Sequence, residues 1–278
     1  MKPESDARAR FQALLAAEDV PLAEAALAVA AEEYPSLEAG KYVARLDEIA
    51  RRVRIHAPTP VRAGTILMAV RTVLFEEERF RGNDEDYYDP RNSFLNEVLD
   101  RRLGIPITLS LVYMEVARRA GLRLQGVAFP GHFLLKYAPA AGGPEVFIDA
   151  YNGGEVLSSD ECVARFKAAS HGRPIEPRHL AAVGPRQILS RLLHNLKRIY
   201  LERSDDVRLW WVVDRLLLLE PGQREELRDR GLIAARLGAA AAAARDLTAY
   251  LDVAQDSPDA AQVREVLETV RTRNPMMN

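Results

Sequence analysis

The chain has 278 residues, 48% of them hydrophobic and 28% charged, and 38 basic side chains against 40 acidic ones leave a formal net charge of −2. That allows a sizeable core and excludes a protein whose composition is built around a polyanionic partner such as nucleic acid. A single cysteine, Cys162, excludes an internal disulfide framework, and no stretch is apolar enough to span a bilayer. Residues 1–6 contain no apolar leader, so the expectation is a cytoplasmic protein without membrane or nucleic-acid partners.

Residues 7–80 carry helical periodicity. Phe11, Leu14 and Leu15 form one stripe, and Leu22, Ala25, Ala26 and Val29 form another after Pro21. Ser36 opens a longer helix, residues 37–54, with Tyr42, Val43, Leu46, Ile49 and Val53 at three-to-four spacing; Pro58 and Pro60 end it. A further helix over 61–80 carries Ile66, Leu67, Val70, Val73 and Leu74. It gives way to an acidic, aromatic surface loop through Asp84, Glu85, Asp86, Tyr87, Tyr88 and Asp89. Calcium takes oxygen ligands at alternating loop positions, but no EF-hand glycine and closing glutamate follow here. A solvated loop without metal is expected.

Residues 91–170 read as an α+β core: two helices, then antiparallel strands beginning over 122–129. Residues 133–137 and 145–148 flank the turn-forming Ala141-Gly142-Gly143-Pro144, a hairpin signal. Pairing Tyr137 with Pro144 sets His132 opposite Asp149, near enough for the carboxylate to accept an imidazole N–H and leave Nε2 free as a base. On this parity Phe133, Leu135, Val146 and Ile148 turn to the opposite face, which is expected to be core. The simpler alternative is that His132 caps a strand and Asp149 satisfies loop N–H groups, because a slip of one residue separates the pair.

The surrounding pattern resembles the transglutaminase-like superfamily, the papain-related group in which a cysteine at a helix N-terminus meets a histidine and an aspartate on adjacent strands. The likeness extends through Asp89-Pro90-Arg91-Asn92-Ser93-Phe94-Leu95-Asn96, Arg102-Leu103-Gly104-Ile105-Pro106-Ile107-Thr108-Leu109-Ser110, Phe129-Pro130-Gly131-His132-Phe133 and Phe147-Ile148-Asp149-Ala150-Tyr151-Asn152. It is similar specifically to the SirB-type branch. The resemblance implies a helix-plus-sheet core with His132 and Asp149 as its base and orienting acid. Where the parent pattern has its nucleophilic cysteine, counted from Gly104 and from Gly121, this chain has Pro106.

Proline suits the first helical position, so the helix is kept and the nucleophile is lost. Ser110 lies one turn beyond Pro106 and Thr108 half a turn; either is a candidate hydroxyl nucleophile, though a hydroxyl inside an apolar helix more often bonds the carbonyl one turn back. Cys162, with Asp160 and Glu161 opposing its ionisation, is expected to be structural. The resemblance places the acidic loop beside the core helix, so Tyr87, Tyr88, Asn92, Asn96, Pro106, Gly131, Tyr151 and Asn152 become candidate binding residues. For Asn92 and Asn96, bracing the helix stands as an equal alternative.

Residues 171–184, with His171 and His179, read as a linker with solvent-facing histidines. From 185 to 278 the pattern is all helical. Ile188, Leu192, Leu193, Leu196, Ile199 and Tyr200 form an apolar stripe, while Arg191, Lys197, Arg198 and Arg203 read as a wet face. Four further helices with proline and glycine punctuation resemble tetratricopeptide pairs, although Asp246 stands where a small alanine is expected. The architecture expected is therefore an N-terminal helical part (1–90), a transglutaminase-like core (91–170), a linker and a tetratricopeptide-like region. Two functions follow: a non-catalytic module that binds a protein or peptide, or a hydrolase or acyl-transferase using a hydroxyl or water with His132 and Asp149. Neither calls for a cofactor.

Overall fold

The computed structural model describes residues 6–57, 62–140, 142–169 and 176–273. The expected stop at Pro58 and Pro60, the turn residue Ala141 and the linker histidine His171 lie outside them. Contacts divide the chain into two units, residues 13–192 and residues 1–12 with 193–278.

In the larger unit, α1 (Asp6–Leu15) contributes its end, and α2 (Leu22–Ala30) is buried along nearly its whole length rather than on one stripe. Its alanines let neighbouring helices close on every side. Helix α3 (Ala39–His56) buries Leu46, Ile49 and Val53, as its periodicity predicts. The single helix expected over 61–80 is instead α4 (Ala63–Arg71) followed by a π-helical turn, Thr72–Glu77. Beyond that turn Glu78 is buried and accepts bonds from Arg45, Arg52 and Arg102. One carboxylate thus ties three segments together.

The acidic loop begins with β1 (Arg81–Gly82) and leads through a 3₁₀ turn, Pro90–Ser93, into α5 (Leu95–Arg101). Strand β2 (Leu103–Gly104) runs parallel to β1, an unexpected pairing that anchors the loop to the N-terminus of α6 (Pro106–Arg119). Pro106 occupies the first turn of α6, where its missing N–H has no intrahelical partner to lose.

The sheet contains β3 (Gln125–Val127), β4 (Leu134–Tyr137), β5 (Val146–Asp149), β6 (Glu155–Leu157) and β7 (Ala182–Val183), all antiparallel, in the order β6-β5-β4-β3-β7. Both faces are covered, not one. Helix α7 (Ser159–Ala169) buries Cys162 against Leu134, Phe147 and Leu157. On the other face Phe133, Leu135 and Ile148 are buried, and Ile188 and the Phe133 ring approach Gly126 so closely that a Cβ there would meet ring carbon at 2.8 Å. Gly126 therefore serves close packing.

The division between units falls within α8 (Pro185–Glu202). The smaller unit stacks α9 (Asp206–Leu219), α10 (Arg224–Arg236), α11 (Ala240–Val253) and α12 (Ala260–Arg273), each on the next. Gly231 permits the closest approach: a Cβ there would lie 2.6 Å from the Leu247 side chain. Asp246 is buried and bonds Arg230 and Arg245, while Arg230 also reaches the buried Asp214 at 2.7 Å. An ion-pair network occupies the place where a small residue is expected.

Candidate functional site

The site is built on the ends of β4 and β5. The hairpin register pairs Tyr137 with Val146, two residues from the expected pairing. Because the slip is even, every side chain keeps its face. His132 precedes β4, in a turn closed by its own N–H on the Phe129 carbonyl at 3.0 Å, with Gly131 at φ +73°. That turn, rather than direct cross-strand pairing, carries the imidazole to Asp149.

His132 Nε2 lies 2.8 Å from Asp149 Oδ1. The expectation that Nε2 would be the free nitrogen is thus corrected: Nδ1 is, and it makes no hydrogen bond to any described residue. The ring is 23% exposed. Asp149 also accepts from the Tyr151 and Asn152 N–H groups, both at 3.2 Å, and from Asn152 Nδ2 at 2.8 Å. Burial by itself raises this carboxyl, but the bonds from His132 and Asn152 outweigh it and hold Asp149 below the usual carboxylate range. An ionised Asp149 makes Nε2 the donor, so in the neutral ring Nδ1 is the acceptor.

Tyr151 joins the acidic loop to this pair. Its ring lies against Gly82, where a Cβ would come within 2.5 Å of ring atoms, and its hydroxyl donates to Asp84 at 2.5 Å. Burial and that carboxylate hold the phenol above its ordinary ionisation range. Edge-to-face contacts run from His132 to Tyr151, to Tyr87 and to Tyr88. Tyr87 and Tyr88 are exposed, so a row of aromatic rings leads from solvent to the imidazole. On the other side, Asn152 borders a cavity of about 400 Å³ shared with Met68, Arg71 and Val156.

Other candidates sit elsewhere. Asn92 is fully buried: Nδ2 donates to the Asp86 and Tyr87 carbonyls, and Oδ1 accepts from Asn83. It braces the loop from beneath instead of lining a groove. Asn96 is also buried, its Oδ1 unpartnered. Thr108 Oγ1 donates to the Asn92 carbonyl at 2.7 Å and accepts from the Ile105 N–H at 3.1 Å, fixing the start of α6. Ser110 is 0% exposed and its hydroxyl has no partner. Neither hydroxyl bonds His132. Pro106 is buried, and burial pushes the Cys162 thiol up to about 11.

Arg191 is a contributor that sequence reasoning missed. It was expected on a wet face, yet it is half-buried and its Nη2 donates to the His132 carbonyl at 2.8 Å and the Phe129 carbonyl at 3.3 Å. The available signal was its place between Ile188 and Leu192 on the apolar stripe of α8. Lys197 likewise bonds Glu226 and Asp229, both at 2.7 Å, and His179 is half-buried with Nδ1 accepting from the Glu176 N–H.

A family model described as transglutaminase-like superfamily matches residues 40–194, and one described as tetratricopeptide repeat matches residues 196–268. A UPF0162 protein of Xylella fastidiosa (strain 9a5c) is 39% identical over 251 residues, covering 89% of each chain. This chain belongs to the UPF0162 family, within the transglutaminase-like superfamily. A second family member, UPF0162 protein PA3419 of Pseudomonas aeruginosa, is 30% identical over 211 residues, 74% of this chain and 75% of that one. The chain is also similar to F-box only protein 21 of Mus musculus, at 36% identity over 137 residues, 47% of this chain and 21% of that protein. No solved structure matches. The α+β core lies within the transglutaminase-like match and the later helices within the tetratricopeptide match, and tetratricopeptide repeats are a protein-interaction architecture. Among the described residues no helix is long and apolar enough to cross a membrane.

Proposed function

We propose that this UPF0162 protein is a non-catalytic recognition module of the cytoplasm: the groove beside His132 holds a peptide segment, and the helical repeats dock the protein that carries it. The observation that carries the reading is Pro106. The position where the superfamily pattern has its cysteine is a buried proline ring in the first turn of α6. Its neighbours support the same reading, because Thr108 is committed to capping and Ser110 is sealed in the interior. The exposed rings of Tyr87 and Tyr88 offer apolar faces with a polar rim, the kind of surface that binds peptide.

The test is turnover of a panel of amide and ester substrates by wild type and His132→Ala. Equal rates, at the level of buffer alone, are expected. A second reading, hydrolysis by a water that His132 activates, has one observation in its favour: Nδ1 is unbonded while Asp149 is held ionised. Turnover that disappears in His132→Ala but persists in Ser110→Ala would overturn the recognition reading in favour of that one.

A further inference from the structure

Arg191 does more at this site than its two carbonyl contacts require. Both protons of Nη2 are directed at main-chain oxygens, and the guanidinium carbon lies 5.9 Å from the centre of the Phe133 ring. A guanidinium has five N–H donors, so those on Nε and Nη1 remain unspent. No carboxylate among the described residues pairs with it. Other partly covered arginines of this unit behave differently: Arg119 pairs with Asp47 and Glu115, Arg52 with Glu77 and Glu78, and Arg101 with Asp89. A half-buried cation without a counter-charge is unfavourable unless a ligand brings one.

The unspent donors belong to the guanidinium that holds the turn presenting His132. We propose that Arg191 anchors a carboxylate on the molecule bound beside His132, so that the groove recognises an acidic peptide group. The single charge of one guanidinium matches the single charge of a carboxylate, which can accept from Nε or Nη1, whereas phosphate dianions draw on several cations. Arg191 thus has two parts, holding the His132 turn through Nη2 and binding ligand through its remaining N–H groups. The inference rests on the reading that the His132 groove is a binding site.

The experiment is a titration of the full chain, labelled with ¹⁵N-histidine, at constant ionic strength. The His132 ring signal is assigned by its loss in His132→Gln. Four probes are added: N-acetylglycine for a terminal carboxylate, N-acetylglutamate α-amide for a side-chain carboxylate, neutral N-acetylglutamine amide, and inorganic phosphate. Saturable shifts of the His132 signal by a carboxylate probe and not by the neutral one are expected, and the tighter of the two carboxylates identifies the source. Arg191→Lys, whose single ammonium cannot both hold the His132 turn and reach the ligand, is expected to weaken binding by about tenfold. Arg191→Gln is expected to abolish it. Circular dichroism and the urea midpoint establish that the variants fold, and the charged-against-neutral comparison in wild type stands without them. Equal shifts from charged and neutral probes would overturn the anchor while leaving the groove a binding site. Stronger response to inorganic phosphate than to either carboxylate would overturn the ligand class. No response to any probe would overturn both the anchor and the binding reading.

Discussion

Asp149 is out of water yet ionised because four hydrogen bonds reach it, from His132, from the Tyr151 and Asn152 main chain and from the Asn152 amide. Replacing it by alanine leaves those donors facing a buried gap, at a cost of about 3 kcal/mol, which urea denaturation will measure. Its carboxyl titrates lower in the folded chain than in the unfolded one, so its stabilisation is present above the unfolded value and is lost as pH falls through the folded one. Below about pH 4 the stability of Asp149→Asn is therefore expected to fall less steeply than that of wild type. Gly82→Ala places a methyl in the Tyr151 ring and is expected to cost about 1–3 kcal/mol and to displace Tyr151 from Asp84, visible in the tyrosine resonances. The His132–Asp149 pair was legible from the hairpin pattern because a register error of two preserves faces. Which imidazole nitrogen meets the acid was not legible, since that depends on the turn at Gly131, whose positive φ no alternation rule specifies.

At the scale of an element, α6 separates two hydroxyls that the sequence presents as equals. Thr108→Val removes the bonds to Asn92 and Ile105 and is expected to cost about 1–2 kcal/mol. Ser110→Ala removes a buried group that has no partner and is expected to leave stability unchanged or raised. Comparing the two urea midpoints checks the assignment of roles along the helix. Periodicity identified α3 because an apolar stripe has one geometric solution. It missed the π-helical turn after α4, where a change of hydrogen-bond register leaves the composition untouched. It also missed the β1–β2 pairing, since strands of two residues are too short to show alternation.

At the scale of the whole molecule, the transglutaminase-like and tetratricopeptide parts follow one another as the residue patterns indicate, and the family matches cover 40–194 and 196–268. The repeat unit contains a feature that no repeat signature encodes: Asp214, Arg230 and Asp246 form a buried network joining α9, α10 and α11. Asp246→Ala takes one of its two carboxylates from Arg230, leaving Asp214, and is expected to cost about 2–3 kcal/mol. Calorimetry will show the lowered transition, and the His132 ring signal is expected to be unchanged. Charges in the interior were not legible because an aspartate reads as surface until its arginine partner, sixteen positions away, is seen to face it.

Three of the four donors on Asp149 belong to residues that follow it within three positions. The carboxylate is therefore aimed by its own loop and does not depend on the histidine for its orientation. Such a loop is a portable part: transferred to another hairpin with the same turn, residues 149–152 would bring with them an acid already pointed, whether or not anything stands in front of it to be activated.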